Sequence, residues 1–124
     1  MLGWLTVAAR NLCVAEEAGT DIVTLCSGCT ATLKEAVFLL AEDEQLREKV
    51  NKRLAKIGRE YKGTVKVEHA VVVIRDELGI EKVKESVVRP LDGIKVAIHY
   101  GCHLLKPSQI MHVDDADYPS ILED

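Results

Sequence analysis

Asp21-Ile22-Val23-Thr24-Leu25-Cys26-Ser27-Gly28-Cys29 decides how this chain folds. Its first half is a short β-branched run bounded by turn residues, the pattern of a buried strand. Its second half is a turn, at Ser27-Gly28, flanked by two cysteines. Thr32 with Glu35 three residues later is a capping-box pattern, so a helix starts nearby and runs through Ala36, Leu39 and Leu40. A strand that feeds a helix through a tight turn is the unit of a parallel α/β layer.

Upstream, Leu5, Ala8, Ala9, Leu12 and Ala15 recur at spacings of three and four, which predicts a helix from about Trp4 to Ala18 with Gly19 as its C-cap. Downstream, Asp43 can cap a further helix whose stripe is Leu46, Val50, Leu54 and Ile57. Its outer face, with Glu44, Glu48, Lys52 and Arg59, reads as a solvated surface. Thr64 to His69 alternates as a second strand. Ala70 to Leu78 fits either a strand extension or a helix ending at Gly79, and the helix is preferred. Ile80 to Val88 reads as a short helix stopped by Pro90. Ile94 to Tyr100 reads as a third strand, ending at Gly101-Cys102. From Ser108 onward the chain looks polar and irregular, with Tyr118 to Leu122 resembling a helix just beginning. The order predicts an α/β fold: a small three- or four-stranded, mostly parallel sheet flanked by helices, in a single domain over residues 1–124.

The 124 residues are 48% hydrophobic and 29% charged, but only 4% aromatic, so the core must be built from Val, Ile, Leu and Ala. A net charge of −4 is poor material for gripping a phosphate backbone, and no nucleic-acid partner is expected. No apolar run approaches the roughly 20 residues that span a bilayer. Arg10, Glu16 and Glu17 break up the first twenty residues, which therefore do not read as a signal peptide. A cytoplasmic location follows, where thiols stay reduced and serve metals, redox chemistry or packing.

Cys26 and Cys29, spaced C-x-x-C, can present two sulfurs to one centre. The N-terminus of a following helix favours thiolate over thiol. Three uses fit: a redox-active dithiol, half of a zinc site, or part of an iron–sulfur ligand set. His99-Tyr100-Gly101-Cys102-His103 places another cysteine at the carboxyl end of an apolar run, the edge where open α/β sheets bind ligands. His103 could ligate, donate a proton or hydrogen-bond, and Lys106 could hold an anion near Cys102. Cys13, between Leu12 and Val14, reads as a small core residue, and His69 and His112 as structural or solvated.

Leu5 to Gly19, then Asp21 to Cys29, then Leu33-Lys34-Glu35-Ala36, together with Val96 to Ser108, resemble the cysteine-rich CCG region of the B-type subunit of heterodisulfide reductase. In that family each CCG motif carries a lone cysteine, a Cys-Cys-Gly pair and a C-x-x-C. The resemblance implies two noncubane [4Fe-4S] clusters, one per motif, between which the heterodisulfide of coenzyme M and coenzyme B is reduced in methanogens. It implies other subunits of the same assembly as partners. Cys26 and Cys29 would close the first motif and Cys102 would open the second. This sequence has no Cys-Cys pair, so it looks like the middle of such a polypeptide, either a fragment or a split gene product. Alone it is expected neither to hold the native clusters nor to reduce a disulfide. Two other readings stand beside this one. A small C-x-x-C thiol–disulfide oxidoreductase would use Cys26 and Cys29, although Pro90, Pro107 and Pro119 all lie outside the strand cores. A zinc module would need Cys26, Cys29 and Cys102 to converge with His103 or Cys13.

Overall fold

The apolar spacing at the amino end produces α1, Leu2–Ala18, with Leu5, Ala8, Ala9, Leu12, Cys13 and Ala15 on its buried face. The computed structural model describes residues 2–123. Gly19 ends α1 in the left-handed region at φ 66°, where an L side chain is strained. There the Thr20 N–H donates to the Ala15 carbonyl at 3.1 Å. The chain then enters β1, Ile22–Thr24.

A tight turn leads from β1 into α2, Ser27–Glu42. Asp43 then caps α3, Glu44–Leu54, its carboxylate accepting the Leu46 N–H at 2.9 Å. The stripe expected along α3 holds for Leu46, Val50 and Leu54, but Ile57 lies past the helix end in a 3₁₀ turn and is exposed. The return to the sheet is tied by side chains. Asn51 brackets Tyr61, accepting its N–H at 2.9 Å and donating to its carbonyl at 3.1 Å. Glu16 accepts the N–H groups of Lys62 and Thr64. Burial pushes the Tyr61 phenol up to about 12, with the Glu16 carboxylate adding to the effect.

β2, Val67–His69, lies parallel to β1 with Ile22 opposite Val67 and Thr24 opposite His69. It runs directly into α4, Ala70–Val73, whose last turn widens to a π-turn over Ile74–Leu78 and stops at Gly79. The helix preferred for this stretch is therefore present. α5, Ile80–Glu85, follows, shorter than the Ile80–Val88 expected. Two more single-turn helices, α6 Cys102–Leu105 and α7 Ser108–Met111, come before the tail. Among the described residues no helix is long and apolar enough to cross a membrane.

The α/β class holds, but the sheet is smaller than expected: two parallel strands. Ile94 to Tyr100 forms no strand, and Ile94 and Val96 stay exposed. β-branched residues favour a strand by packing on neighbours in a ladder, and this segment has none. β1 is also less buried than expected, since Val23 and the following Leu25 face solvent.

Two apolar clusters share α2 as their common wall. Ala36 and Leu40 pack with α1, α3 and β2 in the larger one. In the smaller, Val72, Leu104, Leu105, Met111, Val113 and Ile121 pack together, with Ala31 of α2 against them. The tail expected to be irregular thus supplies core residues. It is shaped by Asp114, which accepts the N–H groups of Ser120 and Ile121 and whose carboxyl these bonds hold below the usual range. The helix expected to start at Tyr118 is only a turn at Ile121–Glu123.

Candidate functional site

β1 delivers Cys26 to the N-cap of α2, where its backbone is extended at φ −114° and ψ 119°. The helix therefore starts at Ser27, earlier than the Thr32–Glu35 pattern indicates, and Cys29 lies in its first turn. The Thr32 hydroxyl donates back to the Gly28 carbonyl at 2.9 Å and caps nothing.

Both thiols of the C-x-x-C are exposed. No side-chain hydrogen bond of normal geometry caps α2 at Cys26, yet the first amides of the helix face its sulfur. The Cys29 amide first, then the Cys29 thiol and the Gly28 amide, lower the Cys26 pKa. The same contact raises the Cys29 pKa, since its thiol donates toward Cys26 and a thiolate there opposes a second one. The pair is thus asymmetric, with Cys26 the readier thiolate. Cys13 differs in every respect: it is 1% exposed inside α1, and burial pushes its thiol up.

Cys102 opens α6 as its first residue, after Gly101 at the N-cap, and is exposed. A Cβ on Gly101 would sit 3.9 Å from the Ser27 hydroxyl, so the two cysteine-bearing helix starts are neighbours. They nevertheless open onto different clefts. Cys26 and Cys29 line an apolar cleft of about 560 Å³ with Trp4, Val7, Asn11 and Leu33. Cys102, His103 and Lys106 line another of about 700 Å³ with Glu35, Gln109 and Asp117. Lys106 is 3.4 Å from the Asp117 carboxylate there.

Among the described residues no three His, Cys, Asp or Glu side chains are grouped to hold a metal ion. The zinc module is corrected on this point. Its four donors do not converge, because Cys13 is sealed in the core and Cys102 with His103 opens on a separate cleft. An iron–sulfur cluster takes four thiolates as a rule. Cys26 and Cys29 fit as two of them, being soft, exposed, adjacent and, at Cys26, biased toward the charged form. They are not a complete set.

Sequence reading passed over Thr24 and Thr30, which lie under the turn. Thr30 is fully buried and its hydroxyl donates to the Cys26 carbonyl at 3.0 Å. The signal available was a threonine ending β1 and another one turn into the helix. His69, expected to be structural or solvated, is buried and structural. Its Nδ1 accepts the Val71 N–H at 3.2 Å, and burial lowers its pKa, against a Leu25 carbonyl that favours the charged ring.

The cysteines should react in a fixed order. With a limiting alkylating agent on the native chain, Cys26 is modified first and Cys13 only on unfolding. Peptide mapping reads the order; early labelling of Cys13, or of Cys29 ahead of Cys26, would contradict the site described.

The cysteine-rich domain of the CCG family matches residues 3–34, the stretch from α1 through the C-x-x-C. The chain is 41% identical to the B-type subunit of the ferredoxin/F420H2-dependent CoB-CoM heterodisulfide reductase of Methanosarcina acetivorans, over 98% of this chain and 40% of that protein. It is 44% identical to a protein of Archaeoglobus profundus described as like the heterodisulfide reductase B-type subunit, over 89% of this chain and 37% of the relative. It is 34% identical to the 8-methylmenaquinol:fumarate reductase membrane anchor subunit of Wolinella succinogenes, over 98% of this chain and 42% of the relative. The strand edge and its C-x-x-C thus lie within a stretch similar to the CCG cysteine-rich domain. Its likeness to the B-type subunit of heterodisulfide reductase extends across most of the chain. The chain spans about two fifths of the length of these relatives.

Proposed function

We propose that this chain contributes thiolate ligands to an iron–sulfur redox subunit of the heterodisulfide reductase B type. The single observation that carries this is the exposed Cys26–Cys29 pair at the start of α2, with Cys26 biased toward thiolate. Cys26 and Cys29 would hold part of one cluster, and Cys102 would begin the ligand set of a second. His103 and Lys106 stand beside Cys102 as groups for a substrate or for the ligand's surroundings. The separation of the two clefts supports two centres rather than one. The remaining thiolates would come from outside these 124 residues, since Cys13, the fourth cysteine, is sealed in the core.

The reaction belonging to this reading is cleavage of the coenzyme M–coenzyme B disulfide, which takes up two electrons and two protons and yields two thiols. Clusters of the noncubane [4Fe-4S] type would supply those electrons one at a time. The chain's own residues place the sulfurs, and the apolar side chains beside Cys26 and Cys29 would form part of the cluster's surroundings, which tune potential. Partner subunits that donate electrons, and a cytoplasmic setting that keeps the thiols reduced, belong to the same proposal.

Anaerobic reconstitution with iron and sulfide tests it. The 124-residue chain should retain little cluster. A longer polypeptide carrying both Cys-Cys-Gly segments should hold a full complement and lose part of it on Cys26→Ser or Cys29→Ser. Equal iron content in the two lengths defeats the reading. The asymmetry of the Cys26–Cys29 pair also favours a second one, a dithiol that reduces disulfides directly. Insulin reduction by the metal-free chain, abolished by Cys26→Ser, would establish that instead.

A further inference from the structure

The buried polar side chains among the described residues are Thr30 and His69, and both lie beneath the C-x-x-C turn. Burying a hydroxyl or an imidazole costs free energy unless it is hydrogen-bonded, so each must be placed for a reason. Thr30 sits in the first turn of α2. Its backbone N–H donates to the Cys26 carbonyl at 2.9 Å and its hydroxyl donates to the same oxygen at 3.0 Å. A hydroxyl has one hydrogen. With that hydrogen given to Cys26, the close pairing of the Thr30 and Thr24 hydroxyls requires Thr24 to be the donor. The relay therefore runs from Thr24 to Thr30 to the Cys26 carbonyl.

His69 completes the support from the neighbouring strand. It stands directly opposite Thr24 in the ladder. Its Nδ1 accepts the Val71 N–H at 3.2 Å, leaving the ring proton on the other nitrogen, and the Leu25 backbone favours the charged ring. The Cys26 carbonyl is thus held by a buried side chain, and His69 lies behind it on the neighbouring strand, opposite Thr24. The orientation of that peptide unit sets where the Cys26 sulfur points relative to the Gly28 and Cys29 amides.

We propose that Thr24 and Thr30, backed by His69, are positioning residues that hold the Cys26 peptide and thereby aim its sulfur. None of them touches a reacting atom. This rests on Cys26 being the working thiolate of the function proposed above. Its readout needs no iron, so failed cluster assembly and a failed positioning role are seen in different experiments.

The test uses the metal-free chain and iodoacetamide at one mildly alkaline pH. The Cys26 alkylation rate is divided by that of Cys102 in the same molecule, with a thermal melt alongside. Thr30→Val keeps the shape and removes the hydroxyl. It should lower the Cys26-to-Cys102 ratio about fivefold, the factor that one hydrogen bond of about 1 kcal/mol is worth. Thr24→Val removes the upstream donor and should lower the ratio in the same direction. Thr30→Ser should restore it. Loss of stability alone would speed both cysteines together and leave the ratio unchanged. An unchanged ratio in both valine variants overturns the proposal. So does a Thr30→Ser ratio as low as that of Thr30→Val, which would assign the effect to packing. If Thr30→Val does not fold, Thr24→Val and Thr30→Ser decide the matter.

Discussion

Leu40→Ala is expected to destabilise the chain by about 2–5 kcal/mol, a large part of the roughly 5–15 kcal/mol that holds a small domain together. Leu40 is fully buried on α2, in the cluster formed with α1, α3 and β2. Truncation removes its methyl groups from apolar surroundings and leaves a cavity that rigid helix packing closes only in part. Phe38, two residues earlier, turns more than a third of its surface to solvent. Phe38→Ala should therefore cost distinctly less, although phenylalanine is the larger side chain. Urea unfolding of the two variants checks this, and equal losses would show that α2 does not present Leu40 to the core.

Lys34→Met should cost about 1–3 kcal/mol, through charge rather than volume. The Lys34 ammonium bonds to Glu68 at 2.9 Å and to the Met111 carbonyl at 2.7 Å, tying α2 to β2 and α7 at once. Its side chain is 11% exposed and that of Glu68 18%, so water screens the pair weakly. Without the lysine, the Met111 carbonyl loses that bond, while Glu68 keeps the exposed Lys66, 3.7 Å away. That remaining cation is why the cost falls below the roughly 3–5 kcal/mol typical of breaking a fully buried pair. Amide exchange should quicken most around α7. Pairing Lys34→Met with Glu68→Leu should recover part of the loss, and strict additivity of the two would remove the coupling claimed here.

The parts of the fold legible in the sequence are those decided within a few residues. The Leu5–Leu12 spacing is a property of one helix, and so is the reach of the Asp43 carboxylate to the Leu46 N–H. The strands depended on partners. Ile94 to Tyr100 has the composition of a strand, but composition cannot supply a ladder, and the segment stays open. The start of α2, at Ser27, is hidden from the sequence for a related reason. Thr32 and Glu35 match a capping pattern that falls inside the helix and caps nothing, whereas cysteine at the cap gives no signal in propensity.

The site divides in the same way. The C-x-x-C and its place between strand and helix could be read directly. That Cys102 opens on the other flank of α2 could not, because it depends on how α6 packs. Nor could the relay from Thr24 to Thr30, which needs β1 and α2 to meet at one depth.

The open segment before Cys102 has a consequence for the chain in solution. Val88 is 91% exposed and Val96 69%, and Leu91 and Ile94 are largely uncovered between them. The backbone from Ile94 to Tyr100 carries amides and carbonyls outside any sheet. Such a ribbon is a template for intermolecular β-pairing. Crowding at high concentration therefore favours oligomers and turbidity, and Lys95 is the sole Lys, Arg, Asp or Glu within that strand-like run to oppose them.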